Sequence, residues 1–207
     1  MIDLYYWGTP NGLKISIALE EMGLDYQIIP INILADDQFQ PDFLAISPNN
    51  KIPAIVDQDG PDHQAVSVFE SGAILQYLGR KTGQFYPQAE ISRIQVEQWL
   101  MWQMGGFGPM LGQNHHFSRF APERIEYATN RYVEETKRLY GVLNKQLLGQ
   151  EYVAGEYSIA DMAIFPWTMR HEWQSIDLVE YPEVEKYIER IKQRPAVQKA
   201  LDIVLKS

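Results

Sequence analysis

The spacing of apolar residues changes once along this 207-residue chain, and that change constrains the fold more than any single motif. Up to about residue 82, strand-like runs of β-formers alternate with runs at helical spacing. After Gly83-Gln84-Phe85-Tyr86-Pro87 only the helical spacing remains. A switch of pattern across a stretch of turn-forming residues marks a domain boundary. The expected division is an α/β domain over residues 1–82, a linker over 83–91, and an all-α domain over 92–207.

Ile2-Asp3-Leu4-Tyr5-Tyr6-Trp7 reads as the first strand. Gly8-Thr9-Pro10-Asn11-Gly12 is a turn, with Thr9 or Asn11 available to cap the helix that follows. In that helix Ile15, Ala18, Leu19 and Met22 recur at helical spacing, while Lys14, Ser16, Glu20 and Glu21 fall elsewhere on the wheel. Tyr26 to Asn32 is a second strand, whose crowded isoleucines suit a central position covered on both faces. Strands three and four are expected at Ala54–Asp57 and Ala65–Phe69, and a further helix begins at Ser71 and stops near Gly79 or Gly83. In the second half, a long helix from Gln88 toward Met110 is broken or bent at Gly105-Gly106-Phe107-Gly108-Pro109. Tyr132, Thr136, Leu139, Leu143 and Leu147 form the stripe of the next helix. Ser158-Ile159-Ala160-Asp161 resembles a capping box, and Pro166 is expected to kink the helix it starts. Val184, Tyr187, Ile188 and Ile191 mark another helix, and Val197, Leu201 and Leu205 a last one.

A net charge of −9 offers no basic face to nucleic acid. No apolar run reaches the ~18 residues of a membrane span. The first residues lack the basic and apolar regions of a signal peptide, so a cytoplasmic protein without a membrane partner is expected. The chain has no cysteine, which excludes disulfides, a cysteine nucleophile and thiolate metal sites. If the substrate is a thiol, the sulfur that exchanges must belong to a ligand. His115 and His116 are adjacent, pointing about 100° apart on a helix, and His63 and His171 have no partner spacing; no metal site is expected. Gly105-Gly106-Phe107-Gly108 follows no strand and precedes no Gly-Lys-Ser/Thr, so it is no phosphate loop.

Two short stretches carry the chemistry. Asn49-Asn50-Lys51-Ile52-Pro53-Ala54-Ile55-Val56 is a polar turn, a proline and an apolar strand. A proline belongs at the first position of a strand, and an X–Pro bond is the only peptide bond for which the cis form is cheap. A cis Ile52–Pro53 bond turns the backbone N–H and C=O of Ile52 toward a peptide-like ligand. Val66-Ser67-Val68-Phe69-Glu70-Ser71 ends a strand in a carboxylate and a hydroxyl at the start of a helix, where an anion is favoured. Taken singly, each is also an ordinary turn or an ordinary helix cap.

Together, these stretches resemble the cytosolic glutathione transferases. The likeness rests on Thr9-Pro10-Asn11 after the first strand, Ser47-Pro48-Asn49-Asn50-Lys51-Ile52-Pro53, Phe69-Glu70-Ser71-Gly72-Ala73-Ile74, and a helical half containing Ser158-Ile159-Ala160-Asp161. Thr9-Pro10-Asn11, Asn49-Asn50-Lys51 and Pro109-Met110-Leu111-Gly112-Gln113-Asn114-His115-His116 narrow it to the bacterial Nu class. The resemblance implies a thioredoxin-like N-terminal domain, an all-α C-terminal domain and a homodimer. It also implies glutathione-dependent disulfide-bond oxidoreductase activity on a small disulfide. Nu-class relatives can carry a proline where this chain has Gly8, which loosens the loop before Thr9.

By the same resemblance, Ser71 and its helix hold the γ-glutamyl carboxylate, and Glu70 pairs with the α-ammonium. Ile52, beside Pro53, makes backbone bonds to the cysteinyl unit, and Lys51 and Gln38 meet the glycyl end. Arg131 reaches across the dimer to the other subunit's ligand. The sulfur falls to Thr9 and Asn11. A thiol of pKa about 8.5 is a few per cent ionised at neutral pH, and a shift of two units takes about 2.7 kcal/mol of thiolate stabilisation. The Thr9 hydroxyl, the Asn11 amide and the helix dipole suit that task. Tyr5 and Tyr6 rank below Thr9, since alternation turns one of them into the core. Trp99, Met101, Trp102, Met104, Phe107 and Met110 either line a pocket for a second substrate or pack a core. Two alternatives stand beside disulfide exchange: conjugation to an electrophile or peroxide reduction, and a binding or regulatory module without turnover.

Overall fold

The computed structural model describes residues 1–204. Its contacts divide the chain into two units, one of Met1–Gln84 with the segment from Arg194, the other of Phe85–Gln193.

The first unit is built on four strands, β1 (Ile2–Tyr6), β2 (Tyr26–Pro30), β3 (Ala54–Asp57) and β4 (Val66–Phe69), in the order β2-β1-β3-β4. β1 runs parallel to β2 and antiparallel to β3, and β3 is antiparallel to β4. Helix α1 (Pro10–Glu21) follows β1, the single turn α2 (Pro41–Leu44) precedes β3, and α3 (Ser71–Thr82) follows β4, closing on Gly83 at φ 69°. Leu4, Ile15, Ile17, Leu19, Ile55, Ile74, Leu75 and Leu78 are fully buried. Ile31, Phe43 and Ala54 form a smaller cluster with Tyr5, Ile46 and Ile52.

Two expectations change here. β2 is an edge strand, not a central one, and Ile28 is 37% exposed. β-branched residues favour extended backbone at either position, so the isoleucine run did not decide between them. The last helix, α9 (Pro195–Val204), packs on α1 within this unit, although its sequence pattern placed it in the helical half. Val197 and Ala200 are buried there; Leu205 lies outside the described residues.

The second unit is helical. Its first rod starts as α4 (Glu90–Trp102) and passes through a wide i→i+5 turn at Gln103–Phe107. It continues as α5 (Gly108–His115) and ends in a second such turn at His116–Phe120. The expected break at the glycines is thus a wide turn inside a continuing helix. α6 (Glu126–Gln146) buries Thr136, Leu139, Tyr140 and Leu143. Every residue of α7 (Ile159–Thr168) is buried, and the helix runs through Pro166. Ser158 and Asp161 cap it reciprocally, and Asp161 also accepts from the Val153 amide at 3.0 Å. α8 (Pro182–Lys192) buries Val184, Tyr187, Ile188 and Ile191.

Candidate active site

Strand register gathers the site. Tyr5 lies opposite Ala54, and Ala54 opposite Phe69. The end of β1, the start of β3 and the end of β4 therefore sit side by side. The loop carrying Thr9, the turn ending in Pro53 and the Glu70–Ser71 junction leave the sheet at that one edge. Both α1 and α3 begin there, so their unpaired N–H groups and positive dipole ends are brought to the same edge.

At the first of these ends Thr9 is the cap, its Oγ1 accepting from the Gly12 amide at 3.2 Å. A hydroxyl that accepts still has one hydrogen to give, and among the described residues no protein group takes it. Asn11, in the first turn of α1, is half-buried. Gly12 lets the helix start this close to the strand, because a Cβ there would stand 2.4 Å from the Trp7 carbonyl oxygen and 2.9 Å from the Tyr6 ring. Tyr6 itself is in the core, its phenol pushed up to about 12 by burial, and Tyr5 packs on Phe43.

Between the two helix ends, the Ile52–Pro53 bond is cis and Pro53 is buried. Among the described residues, neither the N–H nor the C=O of Ile52 has an intrachain hydrogen-bond partner. The buried Ser47 hydroxyl fixes the turn by donating to the Lys51 carbonyl at 2.8 Å. The Lys51 side chain is exposed and has no carboxylate partner among the described residues.

At the second helix end Glu70 occupies the cap position with φ 68° and ψ 116°. A side chain at positive φ costs about 1–3 kcal/mol, and such residues cluster at ligand sites. Its carboxylate accepts from Asn49 Nδ2 at 3.4 Å, linking the two loops. Ser71 is 7% exposed. Behind it stands Lys14, 1% exposed, with Nζ 3.4 Å from Ser71 Oγ. Burial pulls the Lys14 ammonium down to about 7, and the charge of Glu70 opposes that shift.

Lys14 was missed by helical-wheel reasoning. The available signal was the density of apolar residues around it: Gly12 through Leu19 are all buried, so α1 has no wet side along that length.

Gln38 lies in a short 3₁₀ turn (Asp37–Phe39) after β2, its Nε2 3.5 Å from the Ile33 carbonyl and its buried Oε1 without a protein partner. No hydrogen bond joins it to the other candidates among the described residues. Arg131 belongs to the helical unit. It is exposed on α6 and lines a cleft of about 800 Å³ with Met110, Tyr127, Asn130 and Tyr132. In the same unit Trp99, Trp102, Phe107 and Tyr140 form a chain of ring contacts at 5.2, 4.8 and 5.6 Å. Phe107 is fully buried, so packing is its use. His115 stacks on Trp167, and burial holds its imidazole down at about 4. Among the described residues no group of three His, Cys, Asp or Glu side chains can hold a metal, and no helix is long and apolar enough to cross a membrane.

The edge thus offers an N–H and C=O pair to an extended peptide. It also offers a helix N-terminus with a serine to a carboxylate, a carboxylate to a cation, and a threonine hydroxyl to a further acceptor. Known proteins agree with that chemistry. The glutathione S-transferase N-terminal domain family matches residues 2–80, and the glutathione S-transferase C-terminal domain family matches residues 107–195. The chain belongs to the glutathione S-transferase family. Within that family it is 54% identical over 203 residues to the disulfide-bond oxidoreductase YfcG of Escherichia coli K12, covering 97% of this chain and 94% of that one. It is 41% identical to the disulfide-bond oxidoreductase YghU of the same strain, over 96% of this chain and 73% of the other. A glutathione transferase from Pseudomonas putida, crystallised with one glutathione disulfide per subunit, superposes with a TM-score of 0.92 at 48% identity, over 98% of this chain and 91% of that one.

Proposed function

We propose that this glutathione S-transferase is an enzyme of thiol–disulfide exchange, a glutathione-dependent disulfide-bond oxidoreductase of the Nu class. The observation that carries the reading is the convergence of Thr9, Ile52 and Ser71 on one sheet edge, with two helix N-termini aimed at it. The names of its relatives YfcG and YghU support the redox chemistry.

In this reading the glutathione-binding half runs over residues 1–82. Ser71 and the α3 amides receive the γ-glutamyl carboxylate, and Glu70 the α-ammonium. Ile52, held by Pro53, pairs its backbone with the cysteinyl unit, and Lys51 and Gln38 serve the glycyl end. Thr9 and Asn11 donate to the sulfur, and each donor favours thiolate over thiol. Glutathione supplies the nucleophilic sulfur. Its thiolate forms one S–S bond with the substrate while the substrate's own S–S bond breaks, and the departing thiolate takes a proton from solvent. A second glutathione thiolate then attacks the mixed disulfide and releases the other substrate thiol. Two thiols are oxidised to one glutathione disulfide, and one substrate disulfide is reduced to two thiols. With no cysteine of its own, the protein contributes orientation and thiolate stabilisation.

The same proposal makes the protein a cytoplasmic homodimer, with Arg131 serving the ligand of the other subunit. A reducing cytoplasm keeps the thiol form of glutathione available. The deciding experiment compares turnover of hydroxyethyl disulfide with that of an aryl halide, each with glutathione. Disulfide turnover well above conjugation is expected. Dominant conjugation overturns the assignment, and tight glutathione binding without either activity identifies a binding module instead. Sedimentation tests the dimer.

A further inference from the structure

The buried ammonium of Lys14 is a charged group at this edge that the chemistry above leaves unused. It sits in the interior of α1, 1% exposed, among Leu13, Ile15 and Ile17, with Nζ 3.4 Å from Ser71 Oγ. An ammonium has donors and no acceptor, so Lys14 gives the hydrogen and Ser71 receives it. The hydrogen of Ser71 must then point away from Lys14. Burial of an ammonium is costly unless a negative charge faces it. The charge acting on Lys14 is Glu70, beside Ser71 at the head of α3. The charges that α9 brings to α1, Arg194 and Lys199, engage Glu21 and Glu20 at the other end of that helix. Asp3 on β1 is taken by Gln27 and Gln58.

We propose that Lys14 is a positioning residue for the γ-glutamyl end of glutathione: its ammonium orients the Ser71 hydroxyl toward the ligand's carboxylate and balances that carboxylate from inside the protein. The inference rests on the reading in which Ser71 and the α3 amides receive that group. Specificity for a free γ-glutamyl carboxylate then comes from a residue that never touches the ligand. A pH dependence follows as well. Burial pulls the Lys14 ammonium down to about 7, and an arriving anion favours the charged form. Binding above that pH takes up a proton, and affinity falls as the pH rises.

The test is calorimetry of S-methylglutathione, which has no thiol to ionise, binding to the intact protein at about pH 7.5 in buffers of different ionisation enthalpy. The native protein is expected to take up roughly half a proton or more per ligand. Lys14→Met takes up none and binds about tenfold more weakly, the scale of a lost charge-assisted contact. The analogue with γ-aminobutyrate in place of γ-glutamate, which lacks only that carboxylate, binds both proteins alike. The absence of proton uptake by the native protein overturns the proposal. So does affinity of Lys14→Met within about twofold of native, or an equal loss with the analogue. If Lys14→Met does not fold, proton uptake by the native protein decides alone. The underlying reading has its own test: Ser71→Ala without effect on affinity removes the carboxylate from α3. A weakened Ser71→Ala beside an unaffected Lys14→Met removes only the role of Lys14.

Discussion

Arg194 holds Glu21 at two points, Nε to Oε1 at 2.6 Å and Nη2 to Oε2 at 2.9 Å, across 173 residues of sequence. The Glu21 side chain is 7% exposed, so it is the more sheltered partner. Arg194→Ala leaves that carboxylate unpaired and is expected to lower stability by about 3 kcal/mol. Arg194→Lys offers one point charge where a planar fork stood, and recovers less than about half of the loss. Urea unfolding of the three proteins measures both effects.

In the proposed site, Thr9 and Ser71 divide the work on the ligand. Thr9→Ala is expected to lower kcat by roughly a hundredfold, as for the loss of one donor to a developing anion, with little change in affinity. It also removes a helix cap, so about 1 kcal/mol of stability goes with it; Thr9→Ser keeps both functions. Ser71→Ala shifts the effect to KM, raising it about tenfold. Steady-state kinetics with glutathione as the varied substrate separates the two, and matching profiles contradict the division.

For Lys14 the stability arithmetic has a definite sign. Its ammonium is pulled down to about 7 in the folded chain from 10.5, so between those values the unfolded chain binds the proton and the folded chain does not. The Lys14 contribution to stability therefore rises as the pH climbs above about 7, and is lost as the pH falls back through that range. Lys14→Met lacks this dependence. Its stability relative to native is expected to be greatest near pH 6 and to shrink steadily toward pH 10, as read from urea midpoints at several pH values.

Gly12→Ala drives a methyl group to 2.4 Å from the Trp7 carbonyl, which is backbone and cannot swing aside. A loss of roughly 1–3 kcal/mol is expected from the overpacking. Because the same loop carries Thr9, activity should fall with stability. Thermal melting and disulfide turnover on one preparation check the coupling.

Much of this was readable before any coordinates. The cis bond before Pro53 and the start of a helix at Ser71 are local features, and the structure has both; taken singly, neither separates a ligand site from an ordinary turn or cap. The capping pair Ser158 and Asp161 is local and equally plain. What escaped reading was set by distant packing. Whether β2 is central or at the edge depends on strand neighbours that its isoleucines do not encode. α9 carries an ordinary amphipathic stripe, and nothing in that stripe says which surface it covers. Lys14 fell off the apolar stripe because a wheel ranks residues by one helix alone. The crowding that buries it comes from the neighbours of α1, α3 and α9 among them.

The return of α9 to α1 also has a bearing on biosynthesis. Polypeptides leave the ribosome at about 5–20 residues per second, and early domains ordinarily finish before late ones are made. Here the first-made unit waits for the segment from Arg194, which is translated only after the whole of Phe85–Gln193. A flank of α1 stays naked through that interval, a target for chaperones on the nascent chain.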